Sequence, residues 1–267
     1  MKIGIMGAMP EEIDSIHSHM SNVERVLDEF GGEYFCGAIG GHDIVLTLSG
    51  VGKVNATITA TTLVARFQIQ QLIFTGVAGA ADPALNIGDL VVSDQLYQHD
   101  MDARPLFPRH EIPYTGTTFF RADAALIRKA HRVTNALLSS LDQTIPSLEL
   151  GEFNITQAKC VVGTIATGDQ FIGDPAITAA IVEEKPETVA VEMEGAAVAQ
   201  VCAKGRIPFV VVRTISDQAN HESAVNFPRF IANIARRYSE YIVRGMLVKT
   251  PEQQTIDGAA QVRALTL

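Results

Sequence analysis

Two glutamates, Glu192 and Glu194, stand where the apolar run Val189-Ala190-Val191 gives way to the small-residue stretch Gly195-Ala196-Ala197. In an extended chain, side-chain direction repeats every two residues, so both carboxylates are expected on one side. Two acids at a buried strand end cannot both stay charged cheaply without donors. Sugar hydroxyls are suitable donors, and so is a cation. Arg213 is the candidate cation, because it lies inside Phe209-Val210-Val211-Val212-Arg213-Thr214-Ile215 and a guanidinium in an apolar strand needs a carboxylate or a polar cleft. Ser216 and Asp217 follow directly; they either cap the next segment or supply an acid with its hydroxyl partner. Near the N-terminus, Gly4-Ile5-Met6-Gly7-Ala8-Met9-Pro10-Glu11-Glu12 leads from a strand into a helix. Pro at the first helical turn, followed by acids, is good helix-start chemistry. The same residues also put a carboxylate at a strand C-terminus, where open α/β sheets place their ligands, which makes Glu12 a candidate general base. Five chemically active side chains (Glu12, Glu192, Glu194, Arg213 and Asp217) thus converge on expected strand C-termini.

Other motifs fall away on spacing. Ser49-Gly50-Val51-Gly52-Lys53-Val54 has Thr47 in the first glycine place of G-x-x-x-x-G-K-S/T and Val54 in place of the hydroxyl residue, so it is not a phosphate loop. As a dinucleotide fingerprint it fails at Asn55. Thr75-Gly76-Val77-Ala78-Gly79-Ala80 is a second glycine-rich strand end, suited to a tight turn or a close ligand. His99-Asp100-Met101-Asp102 has no partner His or Cys at useful spacing, and His17 and His19 face different sides of any helix, so no metal site is expected. A G-x-S-x-G elbow is absent, which leaves a hydrolase triad unsupported. No cofactor is implied.

The elements that must position these residues are short apolar runs alternating with helical patterns. Strands are expected at 2–6, 33–38, 43–48, 71–75, 89–93, 158–163, 189–191 and 207–215. Helices are expected at 10–20, 53–67, 123–141, 175–184, 194–204 and 224–247. In the second helix, Val54, Ile58 and Val64 favour one face. The alternation implies crossover units around a largely parallel sheet, with Val210-Val211-Val212 buried on both faces. The stretch 139–153 reads as a loop dispensable to the core, and 249–267 as a polar, frayed tail.

Composition bounds the rest. A chain of 267 residues buries about 70–75% of its unfolded surface. With 47% hydrophobic and 19% charged residues it is neither disordered nor collagen-like. A formal charge of −9 argues against nucleic acid, whose binding draws most of its affinity from phosphate neutralisation. Cys36, Cys160 and Cys202 are odd in number with no C-x-x-C pair, as expected of free thiols in a reducing compartment. No signal peptide or membrane span is recognisable, so a soluble cytoplasmic protein is expected.

Seven segments in order resemble one family, the 5′-methylthioadenosine/S-adenosylhomocysteine nucleosidases of the nucleoside phosphorylase superfamily: MKIGIMGAMPEEI (1–13), SGVGKVNA (49–56), TGVAGA (75–80), QHDMD (98–102), TGDQFI (167–172), AVEMEGAAVAQVC (190–202) and PFVVVRTISDQA (208–219). The resemblance implies a single-domain, three-layer αβα fold over residues 1–248 around a twisted mixed central sheet. It implies hydrolysis of the N-ribosidic bond of adenine thionucleosides, giving adenine and a 5-thio-substituted ribose. Asp217, held by Ser216, would then protonate adenine N7. Glu12 would activate water with help from Arg213. Glu194 would hold the ribose hydroxyls, with Met193 packed on the sugar and Glu192 counted among the substrate-binding residues. Phe171 and Ile172 match the adenine pocket, and Met9, Val51 and Phe227 the sugar and alkylthio pocket. Many relatives have Ser where this chain has Val77, which shifts water placement toward Glu12 and Arg213. The loop at 100–113, with Leu106, Phe107 and Pro113, resembles one that reaches across a homodimer to the neighbour's site. Alternatives on the same fold are a futalosine or aminofutalosine hydrolase and a phosphate-dependent nucleoside phosphorylase. A non-catalytic nucleoside sensor is a further alternative, disfavoured because both Glu12 and Asp217 are present.

Overall fold

The computed structural model describes residues 1–218 and 227–248; the expectations for 219–226, including the first residues of the last helix, and for the tail at 249–267 lie outside the described residues. The chain runs β1 (Lys2–Gly7), α1 (Pro10–His17), β2 (Ser21–Leu27), β3 (Glu33–Ile39), β4 (His42–Leu48), α2 (Lys53–Ala65), β5 (Gln71–Ala80), β6 (Leu90–Gln98) and β7 (Phe120–Arg121). It continues with α3 (Ala124–Ser139), α4 (Leu141–Thr144), α5 (Ser147–Glu152), β8 (Cys160–Thr167), α6 (Pro175–Glu184), β9 (Thr188–Glu192), α7 (Gly195–Gly205) and β10 (Phe209–Asp217). The last helical stretch is α8 (Phe227–Phe230), a π-helical turn at Ile231–Ala235 and α9 (Arg236–Leu247). All eight expected strands form. β2 carries no strand signal in the sequence, because Ser21-Asn22-Val23-Glu24-Arg25-Val26-Leu27 is a polar, solvent-facing edge with no apolar run. α1 correspondingly stops at His17, short of residue 20.

Helices cover both faces of the sheet, giving three layers. β10 shows why the Val run is there. Val210 and Val212 pack with Ile3, Ile5 and Ile73 against Ile13 of α1, Leu126 of α3 and Ile242 of α9. Phe209 and Val211 point the other way, with Leu72 and Phe74, onto Ala56 and Ala60 of α2 and Ala199 of α7. Alternation of side chains along a strand buried on both sides produces this pattern.

The expectation of a largely parallel sheet is corrected. β1 pairs in parallel with β4 and β5, β5 with β10, and β8 with β6 and β9. β10 pairs antiparallel with β6, however, and β5 with β9. The pairings β5–β10–β6–β8–β9–β5 close into a ring, and β1, β4, β3 and β2 extend from β5 as a flange. The sheet is therefore mixed, as the family resemblance implies. Strand direction is set by how each connection returns, which a local apolar pattern does not encode.

Two further expectations are overturned. The stretch 139–153 is not a dispensable loop: it forms α4 and α5 and sends Ile145, Leu150 and Phe153 into the main core. Pro146 and Gly151 make it read as a loop, and each helix is too short to show a period. On α2, Val54 and Ile58 of the expected face point outward and only Val64 packs partly against the core, while Ala56, Thr59, Ala60 and Leu63 are buried. Small residues let the helix approach the sheet and α7 closely, so size rather than hydrophobicity decides which face turns inward.

Candidate active site

The C-terminal ends of β5, β9 and β10 and the turns after β1, β4 and β8 surround a cavity of about 380 Å³. Its lining includes Ala8, Met9, Val51, Val77, Ala78, Gly79, Gln170, Phe171, Ile172, Val191, Glu192, Met193, Glu194, Ser216, Asp217 and Phe227. The tertiary structure thus brings together all but two of the residues singled out from the sequence. The exceptions are Glu12 and Arg213, both wholly buried and set behind the lining.

Glu12 folds back on its own helix start. Its Oε2 accepts from the backbone N–H groups of Ala8 (3.2 Å) and Met9 (3.1 Å), and its Oε1 accepts from the Ser239 hydroxyl of α9 (3.0 Å). The helix-start role is therefore realised. At the same time the carboxylate grips the turn that forms one cavity wall. Burial pushes the Glu12 pKa up, against the lowering pull of these hydrogen bonds and of the Arg213 charge. Ser239 had no sequence signal, since it is one hydroxyl on an amphipathic helix far along the chain.

The two acids expected on one side both border the cavity but differ in their surroundings. Glu192 is saturated: Oε2 accepts from Arg213 Nη2 (2.7 Å), Glu194 N (3.1 Å) and Gly195 N (2.7 Å), while Oε1 accepts from Gly195 N (2.9 Å) and from the Thr167 hydroxyl. Its partners tie β8, β9, β10 and the N-terminus of α7 to one carboxylate, a position the helix dipole also favours. Glu194 is less heavily engaged, and its Oε1 accepts from Gly52 N at 2.8 Å. Burial, then the neighbouring Glu192 charge, push its pKa up to about 7.

Arg213 sits in mid-strand rather than at the strand end, because β10 runs on to Asp217. In register it faces Gly76 of β5, and a Cβ there would come within 2.6 Å of Nη1. This is the physical reason for glycine at that strand position. The guanidinium lies over the Phe74 ring, 4.1 Å from its centroid. Its Nε and Nη1 have no hydrogen-bond partner among the described residues. At the end of the same strand, the Ser216 hydroxyl donates to Asp217 Oδ2 (2.7 Å) and, more weakly, to the Ala78 carbonyl (3.4 Å). Phe171 and Phe227 meet edge to face across the mouth, with centroids 6.3 Å apart.

Among the described residues no group of three or more His, Cys, Asp or Glu side chains is arranged to hold a metal ion. Asp100 pairs with Lys53 instead, at 2.6 Å. The cavity lining among the described residues contains three carboxylates and no Lys, Arg or His. That arrangement can bind hydroxyl-rich, weakly basic molecules and offers no dianion cradle.

The same architecture occurs in known proteins. The Phosphorylase superfamily profile matches residues 2–247. A 5′-methylthioadenosine/S-adenosylhomocysteine nucleosidase from Marinomonas sp. (strain MWYL1) is 38% identical over 246 residues, covering 92% of this chain and 97% of the relative. The crystal structure of a nucleosidase of the same name from Colwellia psychrerythraea 34H, in complex with adenine, superposes with a TM-score of 0.81 at 32% identity, covering 92% of this chain and 94% of that one. Futalosine hydrolase from Helicobacter pylori strain 26695 superposes with a TM-score of 0.78 at 33% identity over 92% and 97% of the two chains. Sequence, fold and site place the chain in the phosphorylase superfamily, and within it the chain belongs to the 5′-methylthioadenosine/S-adenosylhomocysteine nucleosidase family.

Proposed function

We propose that this protein hydrolyses the N-ribosidic bond of 5′-methylthioadenosine and S-adenosylhomocysteine, releasing adenine and the 5-thio-substituted ribose. The observation that carries the reading is the set of three carboxylates, Glu192, Glu194 and Asp217, in a mainly apolar cavity. Cleaving this C–N bond builds positive charge on the sugar and negative charge on the purine. Acids beside the sugar stabilise the first, and a proton delivered to N7 neutralises the second. In this reading Asp217 delivers that proton, held in orientation by Ser216. Glu12 accepts a proton from the attacking water, for which a raised pKa suits it. Arg213 offers to the same oxygen the two nitrogens that lack partners among the described residues, and Glu192 keeps the guanidinium in place. Phe171 and Ile172 take the base, Met193 and Glu194 the ribose, and Met9, Val51 and Phe227 the 5′ substituent.

The lack of basic side chains in the described lining favours water over phosphate as nucleophile. Adenine release from methylthioadenosine is expected to be unchanged when phosphate is removed; strict dependence on phosphate would sink hydrolysis and make the protein a phosphorylase. Aminofutalosine is a second candidate substrate, on the likeness to futalosine hydrolase and on Val77 in the lining. The same assay run on both nucleosides ranks them.

Glu194 makes substrate binding depend on pH. Ribose hydroxyls donate best to an ionised carboxylate, and this one titrates at about 7. Affinity for the nucleoside is expected to fall as pH drops below that value, by up to about tenfold per unit. Glu194→Gln is expected to bind weakly at every pH with a flat profile. A wild-type KM that does not vary between about pH 5 and pH 8 would remove Glu194 from the sugar site.

The fold described forms one nucleosidase domain over residues 1–248 in this reading. A homodimer is the accompanying proposal, supported by the outward apolar residues Val51, Val54 and Ile58 and by Leu106, which is 82% exposed in the loop at 100–113. No described helix is long and apolar enough to cross a membrane. The three cysteines are free thiols, which supports a cytoplasmic setting, and release of adenine and a thioribose fits a place in nucleoside catabolism and methionine salvage.

A further inference from the structure

The first turn of α2 has no cap of its own. Its N-cap is Gly52, at φ 91°, and the turn carries no acid, although a helix start leaves several N–H groups without partners. The missing acceptors come from far along the chain. Glu194 Oε1 accepts from Gly52 N at 2.8 Å, and Asp169 Oδ1 accepts from Lys53 N at 2.8 Å. Asp169 is held in turn, because its own N–H donates to Asp100 Oδ2 at 3.0 Å. Lys53 Nζ closes the cycle, lying 2.6 Å from Asp100 Oδ1, 3.8 Å from Asp169 Oδ2 and 3.2 Å from Gln98 Oε1.

Four segments meet around this cycle, and those of Asp169 and Glu194 bear on the cavity. Asp169 directly precedes Gln170, Phe171 and Ile172, and Glu194 borders the cavity one backbone N–H away from Lys53. An exposed ion pair alone contributes little. Here, however, the charges also satisfy backbone donors at a helix start, where a carboxylate is favoured and the bonds are charge-assisted.

We propose that Lys53, Asp100 and Asp169 are positioning residues that lock the base-binding segment at 170–172 and the sugar carboxylate Glu194 into one register through the N-terminus of α2. This rests on the nucleosidase reading above. Without the lock, each half of the site still forms, but the two no longer hold one nucleoside at once. The cost then falls on binding rather than on bond cleavage.

The test is steady-state hydrolysis of methylthioadenosine by full-length Lys53→Met, Asp169→Asn, their double variant and Lys53→Arg, with thermal melts of each. Each single variant is expected to raise KM about tenfold while kcat stays within about threefold and the melting temperature within a few degrees. The double variant is expected to be no worse than the poorer single one, because the cycle acts as a unit, and Lys53→Arg is expected to recover most of the loss. The proposal is overturned by singles whose KM stays within about twofold of wild type, by additive effects in the double, or by a joint fall in kcat and melting temperature at unchanged KM. Wild-type protein that releases no adenine would instead overturn the nucleosidase reading, and this proposal with it.

Discussion

Asp217→Asn is expected to retain adenine binding within about tenfold of wild type while turnover falls by about 10²–10⁴-fold, the range for loss of a positioned general acid. The substitution is nearly isosteric. The new side chain keeps an oxygen that can accept from the Ser216 hydroxyl, which now donates to Asp217 Oδ2 at 2.7 Å, so the end of β10 has no reason to move. Its amide can still donate a hydrogen bond to N7. It has no proton to transfer, and the purine must then leave as an anion. Calorimetric titration with adenine and single-turnover kinetics separate the two quantities. A near-normal rate in the variant would refute the acid role. Loss of adenine binding together with rate would mean that Asp217 is chiefly a binding group.

Glu12→Gln is expected to be equally severe, about 10²–10⁴-fold in kcat, with a native fold. The glutamine oxygen can accept the two N–H groups of Ala8 and Met9 that Glu12 Oε2 accepts now, and its amide can donate to Ser239. The folded protein loses no necessary bond. It loses only a group able to take a proton from water. Stability gives an independent check. Burial raises the Glu12 pKa, so above the ordinary glutamate range the unfolded chain has released a proton that the native state still holds. Native stability therefore declines as pH rises from that range through the raised value. The variant lacks this decline, and its melting temperature relative to wild type should climb with pH across the window. A variant that melts well below wild type at neutral pH would show that the carboxylate serves the fold first.

These two acids also mark how far the sequence could be read. Glu12 and Asp217 were legible because each ends a short apolar run in a chain that alternates strands and helices, and parallel units gather such ends on one edge. Phe171, Ile172, Met193 and Val77 were legible only through family motifs; nothing in their spacing sets them apart from core residues. The division between Glu192 and Glu194 was not legible. Two residues of one type, two positions apart, look equivalent until Thr167, Arg213 and the N–H of Gly195 are seen to occupy one of them. Lys53 is a further case. Spacing alone gives no role for this lysine, whose partners Asp100 and Asp169 only folding brings near.

The amino-acid sequence by itself determined eight of the strands and the longer helices, the burial of the Val run on both faces and the inventory of acids. These follow from local periodicity and composition, which act over a few residues. The tertiary structure decided the closure of five strands into a ring, the outward turn of Val54 and Ile58 on α2, and the core role of the stretch at 139–153. It also decided which carboxylate is saturated and which is less heavily engaged. Those outcomes depend on contacts between residues far apart in the chain, where packing size and the count of available donors, rather than local pattern, fix the answer.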